Sequence, residues 1–409
     1  MEITAVKSNV GMKWEMVKLG DVCDVLGGYA FKSENFKNEG VPLLRISNIT
    51  DGEVSFKDDC ICVEDSNLSS LQRFKVIKGD ILLALSGATT GKFGVYKLDY
   101  FSFLNQRVGL IKSTEKTNQK YLIYYLNVLK SQIKQIAQGA ARPNISTNEI
   151  SNLQIPLPPL ATQKRIAEIL DAADALRRKD QALLQKYDEL AQAIFMDMFG
   201  DPVKNEKGWE VKKLGDIIRD IEAGSSYGGE DKILDDDEFG VLKVSAVTSG
   251  KFRPEEYKAV KKSIIQKNPI FVQQGDFLFS RANTRDLVGA TCIVDKDYDY
   301  LFLPDKIWKI IFIAEKCNPI FIKSFLSQKS VRYELNKTAT GTSGSMLNIS
   351  MQKLKDLPVI IPPISLQNNY RIFYNSLQNM RSNSTDVNIN SLALFQTLLQ
   401  KAFNGELVP

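Results

Sequence analysis

The 409-residue chain contains no histidine. That removes the imidazole general base, Ser-His-Asp and Cys-His chemistry, and the commonest metal ligand. Carboxylates and lysines remain available, but the absence weighs against catalysis. Cysteine is sparse. Cys23, Cys60, Cys62, Cys292 and Cys317 are odd in number and form no C-x-x-C pair. Neither a disulfide framework nor a zinc ribbon is expected, and a reducing cytoplasm fits best. No run of about 18 apolar residues exists, so no spanning helix is expected. The opening MEITAVKSNVGMK lacks the apolar centre of a secretory signal. A large charge excess is also missing: 53 basic against 48 acidic residues give +5 and a pI near 8.7. That balance permits a nucleic-acid partner without requiring one, because binding depends on a clustered patch.

What is present is a soluble composition, 44% hydrophobic and 25% charged, on a chain long enough for two or three domains. It repeats itself. WEMVKLGD at 14–21 recurs as WEVKKLGD at 209–216, an offset of 195. GVPLLRISNIT at 40–50 matches FGVLKVSAVT at 239–248, and KGDILLALSG at 78–87 matches QGDFLFSRAN at 274–283. FLNQRVGLI at 103–111 parallels FLPDKIWKI at 302–310. NISTNEISNLQIPLPPLATQ from Asn144 parallels NISMQKLKDLPVIIPPISLQ from Asn348, an offset of 204. Loop insertions account for the drift in offset, so each half is one globular unit followed by one helix.

The helix after Pro159 places Ile166, Ile169, Ala173, Leu176, Leu183, Tyr187, Leu190 and Ile194 at heptad spacing, with Asp180 as a polar interruption. The helix after Pro363 has a seam of Phe373, Leu377, Met380, Val387, Leu394 and Leu398, interrupted by Ser384 and Ser391. Its middle, SNSTDVNINS at 382–391, is weak helix material and allows a local break. Each helix is roughly 60 Å long. Such a stripe also suits a helix lying on its own domain, but two equally long helices at equivalent positions favour a shared seam. Residues 160–199 carry six bases and seven acids, which does not suit a phosphate-binding rod.

The globular halves are rich in short β-type runs, including DILLAL, RVGLI, DFLFS and KIWKIIFI, each followed by a helical pattern at 119–138 and 319–337. The fold class is α+β: two β-rich domains, each followed by a long helix, the two helices pairing as a coiled coil. The segments are 1–159, 160–199, 200–363 and 364–409.

SGATTGKF at 86–93 ends like a phosphate-binding loop, but Ser86 and Phe93 stand where glycine and Ser or Thr are required. NPIF at 268–271 and 318–321 resembles the N-P-P-F/Y motif of amino-methyltransferases without its second proline. Asn318-Pro319 reads more simply as a helix start. Candidate contact residues come from loops that sit at equivalent places and differ in type. Arg45, Ser47 and Asn48 correspond to Lys243, Ser245 and Val247. Ser86, Thr89, Thr90 and Lys92 correspond to Arg281, Ala282, Asn283, Thr284 and Arg285. Gln106 and Arg107 correspond to Asp305 and Lys306. Arg and Lys suit guanine edges or phosphates, Asn and Gln suit adenine, and Ser and Thr suit either. Any one of them could equally be an ordinary solvated turn residue; as a group their enrichment favours contact.

The pattern resembles the DNA specificity subunit of type I restriction–modification systems over nearly the whole chain. W-x-x-x-x-L-G-D opens each half, followed by GDILLALSGATTGK, FLNQR, the run from Asn144 to Gln163, and KRIAEILD entering the long helix. The resemblance implies two target-recognition domains reading the halves of a bipartite, asymmetric DNA site, with the two long helices as an antiparallel coiled-coil spacer and a pseudo-twofold, circular arrangement. It implies no catalytic activity and no cofactor in this chain. The implied partners are double-stranded DNA, two copies of an adenine methyltransferase subunit carrying S-adenosylmethionine, and a restriction–translocase subunit using ATP and Mg, with no membrane. SGATTGK becomes ANTRDLV and NQR becomes PDK in the second half, as different half-site specificities would produce. The alternatives are a protein scaffold with two adaptor domains on a coiled coil, and a DNA-reading subunit of another bacterial defence system.

Overall fold

In the computed structural model, which describes residues 14–50, 52–56, 60–64, 71–138, 143–341 and 347–408, the two repeated signatures farthest apart in each half are partners in space. Strand Met16–Lys18 pairs antiparallel with Gln154–Pro156, and Glu210–Lys213 with Pro358–Ile361. The repeated leucine completes each junction. Leu19 donates its N–H to Leu153 O at 2.7 Å, Leu214 does so to Leu357 O at 2.8 Å, and both leucines are fully buried.

The chain divides into two compact units, Met1–Asp180 with Val387–Pro409 and Gln181–Asp386. In unit 1 the main sheet has the order Cys23–Gly27, Val108–Ser113, Ile81–Ala84, Phe93–Val95, Gly52–Glu53. Unit 2 repeats it as Ile218–Ala223, Ile307–Phe312, Phe277–Ser280, Thr291–Ile293. A second, mixed sheet follows in each. Its parallel pair is Val41–Leu44 with Ser102–Leu104 in unit 1, and Glu238–Leu242 with Tyr298–Phe302 in unit 2.

The runs ILLA and FLFS lack apolar–polar alternation for a physical reason. Successive strand side chains point to opposite faces, and here both faces are covered. Ile81 and Leu83 enter one core while Leu82 and Ala84 enter another. Phe277 and Phe279 are separated from Leu278 in the same way.

Eight helices are named here: α1 (Gln119–Gln138), α2 (Thr147–Ser151), α3 (Leu160–Phe199), α4 (Ser245–Thr248), α5 (Pro319–Ser327), α6 (Lys329–Thr338), α7 (Met351–Lys355) and α8 (Ile364–Asn404). The single helical run expected over 319–337 is broken at Gln328, whose backbone is extended (φ −65°, ψ 137°). Asn318 caps α5 and Pro319 is in its first turn, where proline costs nothing.

Within unit 1 the first half of α3 packs on the second half of α8: Ile166 and Leu170 share a core with Leu399, Ala402 and Phe403. Within unit 2 the second half of α3 packs on the first half of α8: Phe195 and Phe199 lie 5.6 and 5.4 Å from the Tyr370 ring. Arg381 pairs with Asp188 at 2.8 Å. In each unit the order of contacts is reversed between the helices, so the pair is antiparallel.

The seam differs from its expected line. Ile166, Ala173, Asp180, Tyr187 and Ile194 face inward as expected, but their companions are Leu170, Arg177, Leu184 and Ala191, one residue beyond Ile169, Leu176, Leu183 and Leu190. In α8 Leu377, Ser384, Ser391 and Leu398 alternate with Tyr374, Arg381, Asn388 and Phe395 rather than Phe373, Met380, Val387 and Leu394. At Arg177, Ala191, Arg381 and Asn388 periodicity alone selects the more apolar neighbour instead, whereas at 169/170 and 183/184 the two neighbours are equally apolar and spacing does not separate them. The displaced side chains form a ridge on each helix. Leu176, Leu183 and Leu190, with Phe373, Met380, Val387 and Leu394, are between 40% and 54% exposed.

The break allowed at 382–391 does not occur: α8 is continuous. Thr385 Oγ1 donates to Arg381 O at 2.8 Å and Ser391 Oγ to Asn388 O at 3.1 Å. The hydroxyls thus bond along the helix instead of competing with it.

Candidate nucleic-acid interface

The G-D step before each central strand is a turn. Gly79 and Gly275 adopt φ of +100° and +86°, which glycine adopts without strain. Asp80 Oδ2 accepts the Ile77 N–H and Asp276 Oδ2 the Gln273 N–H, both at 2.9 Å. Lys112 and Lys309 lie 3.6 and 3.1 Å from those carboxylates. These pairs aim the central strand and do not belong to a recognition surface.

The loop leaving that strand is held by the repeated N-I-S junction. In unit 1 Ile145 donates its N–H to Leu85 O at 2.8 Å, Gly87 donates to Pro143 O at 3.0 Å, and Ser86 bridges Asn144. In unit 2 Ile349 donates to Arg281 O at 2.9 Å, while Ala282 and Asn283 pair with Asn348 and Leu347. Each letter has one task. The asparagine pairs with the loop, and the isoleucine is buried (Ile145 1%, Ile349 0% exposed). The serine caps the next short helix: Ser146 Oγ accepts the Glu149 N–H at 3.1 Å, and Ser350 Oγ the Lys353 N–H at 3.3 Å. Glu149 returns the bond to the Ser146 N–H at 2.7 Å, which holds its carboxyl below the usual range.

The turn before the last sheet strand joins the same place. Leu85 donates its N–H to Arg107 O, and Arg281 to Lys306 O, both at 3.0 Å. A glycine lies under each turn. A Cβ on Gly28 would stand 2.1 Å from Asn105 O, and one on Gly224 1.7 Å from Leu303 O. Only glycine lets the first strand pass so close.

In unit 1 these pieces enclose a cleft of about 880 Å³, lined by Ser86, Gln106 and Arg107 together with Asn144, Ser146 and Thr147. Gln106 and Arg107 are exposed and Ser86 is half-buried. In unit 2 the equivalent edge has another character. The Arg281 guanidinium lies 5.4 Å from the Trp308 ring, and its Nε is buried with no hydrogen-bond partner among the described residues. Thr284 and Arg285 are exposed, Lys306 is half-buried, and Asn283 Oδ1 accepts the Thr284 N–H at 2.8 Å. Asp305 is bonded by Ser226. Where unit 2 sets Arg281 beside Trp308, unit 1 has Leu85 above Gly109.

The remaining candidates lie apart from this edge or have internal partners. Asn48 is buried; its Oδ1 accepts the Arg45 N–H at 2.9 Å and its Nδ2 donates to Ser55 O at 3.2 Å. Ser47 is exposed beside it and Arg45 half-buried. Thr90 Oγ1 donates to Gly87 O at 2.6 Å, Thr89 Oγ1 is buried, and half-buried Lys92 leads into strand Phe93–Val95. A loop that closes a hairpin, with no helix after it, lacks the N-terminal amides of a phosphate loop. Lys243 pairs with Asp231 at 2.9 Å and Glu256 at 3.5 Å, and Asp231 holds its ammonium above the usual lysine range. Ser245 Oγ donates to Glu256 at 2.6 Å. Residues of this edge that sequence reasoning left out of the contact set are Asn144, Ser146, Thr147 and Trp308. The repeat alignment contains the signal for Trp308, because tryptophan replaces glycine at one aligned position.

Comparison with known proteins adds the following. The family model described as "Type I restriction modification DNA specificity domain" matches residues 12–186 and again 206–373. The EcoKI type I restriction enzyme specificity subunit of Escherichia coli K12 is 24% identical over 96% of this chain and 89% of that one. The MjaVIII specificity subunit of Methanocaldococcus jannaschii is 34% identical over 44% of this chain and 45% of its own length. Among solved structures, a type I restriction–modification S subunit from M. genitalium superposes with a TM-score of 0.57 at 15% identity, covering 97% of this chain and 98% of that one.

Proposed function

Since the chain belongs to the type I restriction–modification DNA specificity family, we propose that its two recognition domains each read one half of a bipartite, asymmetric DNA target, with the helix pair setting the unread gap. It is a specificity subunit with two target-recognition domains and is non-catalytic. The observation that carries the finer reading is the duplicated edge. The loop after the G-D strand, the turn before the last strand and the N-I-S junction meet in both units, on equivalent backbone pairings, with different side chains. Unit 1 offers Ser86, Gln106, Arg107 and Asn144; unit 2 offers Arg281, Asn283, Thr284, Arg285 and Lys306. A common scaffold with divergent donors is what two readers of different sequences need.

DNA and the methyltransferase and restriction subunits are the partners. Two methyltransferase copies bind, one per repeat, in the cytoplasm. S-adenosylmethionine, ATP and Mg reside on those partners, as does the extrusion of the target adenine. The half-exposed apolar side chains repeated along α3 and α8 support this association, because exposed apolar residues in register on one side of a helix suit an interaction site. No helix among the described residues is long and apolar enough to cross a membrane.

The test is insertion of one heptad into both α3 and α8. Seven residues add about 10 Å, or roughly three base pairs. Methylome mapping in a host carrying the operon should show both half-sites unchanged and the gap longer by that amount. An altered half-site with a constant gap contradicts the spacer role.

A further inference from the structure

A glutamine recurs at the same distance behind each proline pair, and both copies are sealed from solvent: Gln163 is 1% exposed and Gln367 0%. Burying a primary amide is costly unless its donors and acceptor are satisfied. Gln163 Oε1 accepts the N–H of Asn118, at the entry to α1, at 2.8 Å. Its Nε2 donates to Lys116 O at 3.0 Å, in the turn after strand Val108–Ser113, and to Pro158 O at 2.9 Å. One side chain on the first turn of α3 therefore joins three segments: the recognition domain's last strand turn, its crossover helix and the proline link. Unit 2 repeats the device. Gln367 Oε1 accepts the Asn318 N–H at 2.9 Å and Nε2 donates to Pro362 O at 2.7 Å. Around it Asn318 Nδ2 donates to Asn368 Oδ1 at 2.9 Å. The chemistry is specific to an amide. A carboxylate would lose the donor and face carbonyl oxygens, and an apolar side chain would orphan a buried N–H and the carbonyls.

We propose that Gln163 and Gln367 are positioning residues for target reading: each amide locks its recognition domain at one orientation on its own long helix, and so holds the unread gap of the target to a single length. Apolar packing between domain and helix is broad and non-directional, whereas a two-sided amide is directional and tolerates little rotation. The inference rests on the bipartite reading above, and the two fail separately.

The experiment uses the complete restriction–modification complex expressed from its operon, with methylome mapping as the readout. Gln163→Met, Gln367→Met and the double variant preserve side-chain length and remove the amide. The wild type should methylate one bipartite sequence at one gap length. The variants should keep both half-site sequences and gain methylation at gaps one base pair shorter or longer, rising about tenfold or more over the wild-type background, since each removes at least two hydrogen bonds of the amide. Gln367, whose amide nitrogen donates to one carbonyl among the described residues against two for Gln163, is the milder site and guards against simple misfolding. A single retained gap length with lower overall methylation would make the glutamines packing residues only and overturn the proposal. Failure of both variants to assemble would also overturn it, assigning the amide to folding. A wild type that methylates no bipartite sequence sinks the functional reading instead.

Discussion

The N–H of Ile145 donates to the carbonyl of Leu85 across 2.8 Å. That bond, repeated between Ile349 and Arg281, ties a recognition loop to a segment 60 residues later in the first half and 68 later in the second. The loop's position is therefore a property of the core. Ile349→Ala removes a fully buried side chain and should cost about 3 kcal/mol. Ser350→Ala removes a cap and should cost about 1 kcal/mol. Urea unfolding midpoints of the purified chain check both, and an Ile349→Ala midpoint equal to wild type would place the isoleucine outside the core.

Arg107 and Arg285 should have separable effects. Arg107→Ala is expected to relax one base position in the half-site read by unit 1, at about 1–3 kcal/mol, and to leave the other half-site intact. Arg285→Ala should do the reverse. Methylome mapping reports both; uniform loss over all sequences would reassign the residue to a phosphate contact.

The exposed ridges give a third expectation. Leu183→Glu and Met380→Glu alter side chains that are 40% and 52% exposed, so the isolated chain should melt as wild type does. Association with the methyltransferase subunit should weaken at least tenfold if the ridge is desolvated on binding. Co-purification with unchanged stoichiometry and affinity would show that the ridge stays in water.

Alkaline sensitivity is the fourth. Burial pushes the thiols of Cys23, Cys292 and Cys317 up to about 12, and burial likewise pushes the Tyr96 hydroxyl up to about 12. The unfolded chain releases these protons at lower pH than the folded chain does. Stability from this source is complete below about pH 8.5 and declines as pH rises towards 12. Thermal melts between pH 8 and 11 should fall steadily, and the three thiols should react slowly with alkylating reagents until the chain unfolds.

Particular residues show what was readable in advance. The internal offsets located the inner strands of the central sheets, because strands such as Ile81–Ala84 and Phe277–Ser280 combine β-type side chains with flanking turn residues, but they did not locate Cys23–Gly27 and Ile218–Ala223, which fall outside the matched repeats. Pro159 and Pro363 marked both long helices, since proline suits a helix start. The seam was half legible. Heptad counting cannot tell Leu176 from Arg177 as the inward neighbour, because that choice depends on what the other helix presents, here Phe395, 5.6 Å from the guanidinium. The grouping of Ser86, Gln106, Arg107 and Asn144 was only partly legible, because it depends on pairings between segments far apart in the chain. Asn48 and Thr90 were indistinguishable from surface polar residues until their internal hydrogen bonds were visible.

Phe403, fully buried, lies 5.2 and 4.9 Å from the rings of Tyr121 and Tyr125. During synthesis, residues 181–386 emerge as one uninterrupted stretch and can condense as soon as they clear the ribosome. The earlier-made domain must instead wait, its hydrophobic surface incompletely covered, until the final turns of α8 arrive to cover it. The half of the protein translated first is therefore the half that matures last, and the one most exposed to a chaperone or protease in the interval.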